Sequence, residues 1–528
     1  MKYKTLYYWR ISAFLLGIFL IFAVFPVFSA EKDVKIKVAQ YADNIDFTCS
    51  QGASYELGGQ PGRINSGDNC KLTGVMTDKA KKRYHVMVYS AFIGEDEDAK
   101  VTAQEWNALG FSFETSVVGR QFFSEDGKTV LYDNRTVRGE VGVFDDLESA
   151  QRLVDQLAAQ GKSSWINTEV VSWAKGTLTL YINGIEKARG DDLLIVPDGQ
   201  VLLKKVEYAA GYPWHGFADR TYSGKLNCRY GASDAIDCIL NTGLENILAG
   251  IVPSEISAYA ETGALQAQAV AARGEILAKV GIRHAGEGFD ICSEQHCQVY
   301  AGETKYSAMV APKIAPTRGY VLKDGTRILD AVYAANCGGH SEANHLVWTT
   351  KPNPILGGVW DHNNPPSLDL SEEKQVTDFI KNPPACHCNN PNVEGGNRFR
   401  WNKSINTTDW KAVEGRLGVG RIKSVKNIAR GFSGRIYQMT FVGERGEKTV
   451  MKELNIRKIY GSLMSACFIA DYKKDSAGFI ISAEIKGAGF GHGVGMCQTG
   501  AQSLAKQGWA FSRILAHYYP GSLLQKLY

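Results

Sequence analysis

The sequence predicts an α+β protein in which a mixed, loop-rich C-terminal domain follows a small β-α-β-repeat domain. Three observations lead there. At 528 residues the chain exceeds what one hydrophobic core normally organises, so two or three domains are expected. Its 55 glycines, with 44% hydrophobic and 22% charged residues, describe a globular and turn-rich protein rather than a disordered one. A strand-helix-strand pattern also occurs twice between residues 83 and 175, ahead of a long stretch in which helical and alternating patterns mix.

Residues 1–29, MKYKTLYYWRISAFLLGIFLIFAVFPVFS, read as a signal peptide or an N-terminal anchor. Basic residues precede an apolar run from Ile11 to Phe28, and Val27 and Ser29 offer a small-residue cleavage pattern. The run is also long enough to stay in a membrane uncleaved. On either reading the body of the protein is exported, to the periplasm or cell envelope. Loss of Lys2, Lys4 and Arg10 takes the formal charge from +4 to +1, so nucleic acid is not expected as a partner. No later segment is apolar and long enough to cross a bilayer, so membrane contact is expected only through the N-terminal segment. Eleven cysteines in an exported chain permit disulfides, and the odd number leaves at least one thiol free or metal-bound. By proximity, Cys49 with Cys70 and Cys228 with Cys238 are candidate pairs; full connectivity is not legible.

Residues 30–82 are polar and Gly-rich with one short alternating run, VKIKVAQY, and are expected to be an edge strand with a linker or small subdomain. Residues 83–175 hold the repeat. Its second unit, GEVGVFDDLESAQRLVDQLAAQGKSSWINTEVV, offers Asp145 or Asp146 as helix cap, Ala150, Leu153, Leu157 and Ala158 on one face, and Gly161 as stop. This unit resembles a SPOR domain, a module that binds peptidoglycan glycan strands stripped of peptide; a structural repeat without ligand is the alternative. Residues 176–210 read as a β-hairpin connector, and residues 211–528 as one globular unit. Within that unit, Glu372–Lys381 and Thr408–Leu417 are expected to be short helices, and RIKSVKNIARGFSGRIYQMTFVGERGEKTVM a strand meander.

Chemistry-bearing residues concentrate in the C-terminal unit. In LENILAGIVPSEISAYAETGALQAQAVAARGEILAKVG, Glu255 stands at the break between two helices, the second running from Thr262 to Lys279. A carboxyl at such a break can face an apolar cleft and serve as a general acid, or can simply cap a helix N-terminus. In RHAGEGFDICSEQHCQVYAG, His284, Cys292, His296 and Cys297 form a zinc-type set, with His296 and Cys297 able to ligate together only in a loop; a Cys292–Cys297 disulfide is the competing reading. LDAVYAANCGGHSEANHLVW carries Tyr333 into a Gly-Gly turn followed by His340. RFRWNKSI, basic and aromatic, suits either sugar stacking or strand packing. The stretch GAGFGHGVGMCQTGAQSLAKQGW surrounds His492 with glycines and lacks the Lys-Ser/Thr of a nucleotide loop.

Taken in order, LAGIVPSEI, ALQAQAVAAR, CQVYAG, TRGYVLKDGTRILDAVYAANCGGHSE, FRW, GFSGRIYQMTF and GFGHGVGMCQTGAQSLAKQGWAFSRILAHYYPG resemble the stage II sporulation protein D and LytB amidase-enhancer family, from about Leu202 to the C-terminus. The resemblance implies a peptidoglycan lytic transglycosylase acting on peptide-free glycan with one glutamate, Glu255. A single carboxyl suffices because the substrate's own C6 hydroxyl attacks, giving 1,6-anhydro ends, where a hydrolase usually needs two. The alternative it implies is a non-catalytic glycan-binding enhancer of a cell-wall amidase. It places Tyr333, His340, His492 and Gln498 in the cleft as substrate-binding residues, and His284, Cys292, His296 and Cys297 on a structural zinc ion, with no cofactor for catalysis. Cys337 and Cys497 stand where the family commonly has serine, which suggests a disulfide between them.

Overall fold

A computed structural model describes residues 33–124, 127–211, 214–348 and 351–528. The expected signal or anchor, residues 1–29, lies outside the described residues. Helices and strands mix through several sheets, the α+β class expected from the sequence.

The stretch expected to be an edge strand with a linker or small subdomain is richer in strands than its sequence suggests. Within residues 33–78 lie five strands, among them Ala53–Leu57 with every second side chain buried. Asp33–Tyr41 pairs antiparallel with Ile236–Gly243 and parallel with Ile291–Cys292, so the N-terminal strand is central rather than at an edge. That seven-stranded sheet continues through Lys225–Tyr230, Asp192–Pro197, Ala53–Leu57 and Gln60–Ile64. A six-stranded sheet joins Asn44–Cys49 and Cys70–Asp78 to strands between Lys175 and Tyr222. Strands of residues 33–78, of residues 175–208 and of the start of the 211–528 unit therefore share the same two sheets. Several of these strands find partners more than a hundred residues away, which no local pattern reports.

The repeat is an insertion between Cys70–Asp78 and Lys175–Ile182, which pair directly with each other. Its strands stand in the order Trp165–Ser172, Lys81–Phe92, Thr136–Phe144, Glu114–Val118, all antiparallel. Helices Ala99–Ala108 and Leu147–Ala159 complete a β-α-β-β-α-β arrangement. Of the two candidate caps Asp146 is the one used, accepting from the Ser149 amide at 2.8 Å. Val86, Trp106, Val141, Ala150 and Leu157 form the module's own core. Polar contacts attach it to the C-terminal unit. Asn134 Nδ2 donates to the carbonyls of Leu277 and Val280, at 3.3 and 2.9 Å, at the end of the Thr262–Lys279 helix. Lys351 reaches Asp98 at 2.7 Å.

One hydrophobic core runs from Val34 to Tyr528, and a second, from Trp401 to Ile485, fills the strand meander. The helices expected at residues 372–381 and 408–417 are present as Glu373–Lys381 and Thr407–Leu417. Two short parallel strands matter most for the site. Tyr333 pairs with Met496 and Ala334 with Cys497, which brings the Gly-Gly turn and the Gly-rich C-terminal stretch side by side.

Candidate functional site

Glu255 is the last residue of the helix Leu244–Glu255, whose final turn contains Pro253. It is therefore no N-terminal cap, and that reading is set aside: the Thr262–Lys279 helix is preceded by Glu261. A carboxylate at a helix C-terminus faces the negative end of the dipole, an arrangement that disfavours ionisation. The side chain is partly buried, and burial together with the nearby Glu275 charge pushes its pKa up to about 7. Two donors restrain that rise. The Val299 amide donates to Glu255 Oε1 at 3.2 Å, and the Gln498 side chain is in hydrogen-bond contact.

Further polar groups come from the middle of the Thr262–Lys279 helix. Gln268 and Glu275, seven positions apart and so on one face, are both buried. Gln498 Nε2 donates to Gln268 Oε1 at 3.2 Å, and the Tyr333 hydroxyl lies against Gln268 and close to both glutamates. Glu275 accepts from Gln298 Nε2 at 2.9 Å and pairs with Lys279, which Glu275 and Asp330 hold protonated. Glu275 is thus one half of a buried ion pair, while Glu255 has no cationic partner among the described residues.

The four residues placed in the cleft by sequence divide two and two. Tyr333 and Gln498 meet Glu255's surroundings directly. His492 does so at one remove: its Nδ1 accepts from the Val494 amide at 3.0 Å, and the Tyr333 backbone lies beside the ring. Burial lowers its pKa to about 3, so it is a neutral brace between the Gly-rich turn and the Tyr333 strand. The indole of Trp348, 37% exposed, packs on that ring at 5.0 Å between centroids. His340 is buried with Nδ1 2.6 Å from the Ser341 carbonyl and its ring edge on Trp360, contacts that support the Gly-Gly turn rather than Glu255. Burial lowers it to about 4, so it too is neutral.

His284, Cys292, His296 and Cys297 converge, with one ligand atom from each all within 4.8 Å of one another. His296 and Cys297 sit in a turn, the condition their adjacency imposed. His284 Nε2 lies 3.2 Å from Cys297 Sγ, while its Nδ1 is 3.0 Å from Glu287, the carboxylate-histidine pairing that fixes a ligating tautomer. These residues fit zinc in number, type and support. The same loop continues through Gln298 and Val299, so the residues that would hold the metal also position the amide that binds Glu255 and the amide side chain that binds Glu275.

The disulfide expected between Cys337 and Cys497 is not formed; all eleven cysteines are free thiols. The two are neighbours, the Cys337 amide donating to Cys497 Sγ at 3.2 Å, but a third thiol, Cys388, also lies 3.7 Å from Cys337 Sγ. Cys228 and Cys238, suggested as a pair by proximity, face each other across two strands with sulfurs 3.5 Å apart.

Sequence reasoning did not single out Gln268, Glu275, Gln298 or Val299. A legible signal existed for the first two: polar side chains at positions 268 and 275 within an otherwise small and apolar helix face.

Similarity to known proteins bears on this geometry. Residues 232–323 match the family model described as Stage II sporulation protein. That stretch holds Glu255, Gln268, Glu275 and the zinc-type set. Residues 342–495 match a second model, described as a domain of unknown function (DUF8618). The chain is 28% identical over 306 residues to an amidase enhancer of Bacillus subtilis (strain 168), an alignment covering 52% of this chain and 40% of that protein. It is 25% identical to a Stage II sporulation protein D of Bacillus amyloliquefaciens, covering 53% of this chain and 74% of that protein. The Bacillus subtilis (strain 168) Stage II sporulation protein D is 24% identical over 54% of this chain and 75% of its own length. The chain therefore spans less than half of the amidase enhancer and about three quarters of the two sporulation proteins.

Proposed function

We propose that this protein cleaves peptidoglycan glycan strands at the cell envelope as a lytic transglycosylase, with Glu255 as its single acid and base. The observation that carries the reading is the state of Glu255: a carboxyl without a cationic partner, pushed up to about 7 by burial and by Glu275. Near neutral pH such a group is present both protonated, able to donate to a glycosidic oxygen, and ionised, able to accept from a hydroxyl. The neighbouring carboxyl does not supply a nucleophile, being tied to Lys279 and Gln298. One free carboxyl suits intramolecular attack by the substrate's C6 hydroxyl better than hydrolysis, which usually needs two. Tyr333 and Gln498 would orient the sugar, and the exposed Trp348 offers a ring for stacking. Zinc held by His284, Cys292, His296 and Cys297 would be structural, its four protein ligands leaving no open position.

The β-α-β-β-α-β module fits this reading as a glycan tether that raises local substrate concentration. Purified mature protein incubated with peptide-free glycan strands is expected to release products with 1,6-anhydro ends, and Glu255→Gln to release none. The second reading, a glycan-binding enhancer of a cell-wall amidase, draws on the similarity to the Bacillus subtilis amidase enhancer. Product from neither protein, with binding to glycan retained by both, would favour it.

A further inference from the structure

We propose that Cys337, Cys388, Cys497 and Asp361 form a second zinc site, separate from the His284 set and closed to solvent. One ligand atom from each of the four lies within 4.8 Å of the others. They arrive from four segments: the Gly-Gly turn, the loop carrying Asp361, the loop carrying Cys388 beyond the helix Glu373–Lys381, and the N-terminus of the helix Gln498–Lys506. All four are buried, with exposures of 3%, 0%, 1% and 0% in the order named.

Three features favour a cation over a disulfide. First, the thiol number is odd: pairing any two of the three leaves the third buried against a carboxyl. Second, no Lys or Arg is among the groups that act on Asp361 in the described residues. Its oxygens accept from the Tyr518 hydroxyl at 2.6 Å and the Cys388 amide at 2.7 Å, which orients the group without neutralising it. A buried carboxylate in that position calls for a positive partner. Third, the sulfurs are surrounded by backbone amides. Cys497 Sγ accepts from the amides of Cys337, at 3.2 Å, and Gly500, at 3.4 Å, and Cys337 Sγ accepts from Gly339 at 3.4 Å. Such N–H···S contacts suit thiolates, the form in which cysteine binds metal.

The backbone is shaped to allow this approach. A Cβ on Gly500 would meet Asp361 Oδ1 at 2.6 Å and the Tyr518 hydroxyl at 2.1 Å, so the helix can come this close only with glycine there. Two guanidiniums border the cluster: Arg400 Nη1 donates to the Gly338 carbonyl at 2.8 Å and Arg435 to the Cys337 carbonyl at 3.2 Å. They offset the excess negative charge that three thiolates and a carboxylate would bring to a divalent ion. Three thiolates with one oxygen, buried and four-coordinate, suit zinc and leave no vacancy for water or substrate. On binding, zinc would displace the protons of the three thiols to solvent. It would tie the Gly-Gly turn to the Gly-rich C-terminal stretch, locking the paired strands that carry Tyr333 and lead into Gln498.

The test uses the full mature chain, loaded with zinc without reductant, desalted, and assayed for zinc per chain by elemental mass spectrometry. Two equivalents are expected for the wild type, one for Cys388→Ser, and one for His284→Ala. A wild-type count below two, or a count unchanged in Cys388→Ser, overturns the proposal. Should Cys388→Ser fail to fold, the wild-type count still decides, because the His284 set can account for one ion only. Non-reducing peptide mapping of the wild type is the independent readout: no link among Cys337, Cys388 and Cys497 is expected, and a disulfide joining any two overturns the site.

Discussion

Glu255 and Glu275 sit on consecutive helices of the same cleft, close enough for each to feel the other's charge, and they meet opposite treatment. Glu275 is buried and paired: Lys279 forms an ion pair with it and Gln298 donates to it. Glu255 is partly open, lacks a cation, and stands at the unfavourable end of its helix. The pair follows the pattern by which two carboxyls are given different roles through environment alone. The lesson is that the reactive carboxyl is marked by what is withheld from it, and that Glu275 contributes by keeping the Glu255 proton in place.

The comparison breaks most sharply at Glu255. Glu255→Gln is isosteric and keeps an acceptor for the Val299 amide, yet it can neither donate nor take up a proton. A loss of at least about 100-fold in the rate of anhydro-product release is expected, the scale of general acid-base catalysis. In the wild type, activity should fall as pH rises past about 7, because the protonated form of Glu255 is depleted there. A profile flat from pH 6 to 9 would show that another group supplies the proton.

How much of this was legible without coordinates follows from distance along the chain. Glu255 and the set His284, Cys292, His296 and Cys297 are local: a helix break and ligand-type residues within a short loop announce themselves by spacing. The two β-α-β units and the Asp146 cap were local as well. What escaped is non-local. The VKIKVAQY strand was legible, but the strands of residues 44–78 hid among glycines and polar residues, and both Asp33–Tyr41 and Ala53–Leu57 find partners far along the chain. Cys337 and Cys497 were linked because both stand where the resembled family commonly has serine, and their proximity holds, but Cys388 and Asp361 join them unannounced from two loops with no periodic signal. His340 and His492 were placed by motif in the cleft, whereas their ring nitrogens are turned to backbone partners in neighbouring turns.

A smaller effect is expected one step from the acid. Cys292→Ser removes a thiolate from the loop that runs on to Gln298 and Val299, loosening the hold on both glutamates at once. Loss of one zinc equivalent and a roughly tenfold drop in rate are expected, the scale seen when the support of a metal site is weakened. Zinc loss with full activity would mean that the Val299 amide is placed by the strand pairing of Ile291–Cys292 and not by the metal.

The smallest and most informative change is Glu275→Gln. It keeps an acceptor for Gln298 but removes the charge that raises the pKa of Glu255, and it leaves the Lys279 ammonium less compensated, with Asp330 as its remaining partner. Both consequences favour ionised Glu255, so the alkaline limb of the pH profile should move below its wild-type position by less than about one pH unit. At pH 6 the variant should be nearly as active as the wild type, and by pH 7.5 about severalfold slower, since the protonated fraction falls roughly tenfold for each further pH unit once the limb is passed. Because burial is the larger cause and is untouched, the limb should stay well above the ordinary carboxyl range. A limb that did not move would mean that Lys279 already cancels the Glu275 charge at Glu255, leaving desolvation as the whole origin of the raised pKa.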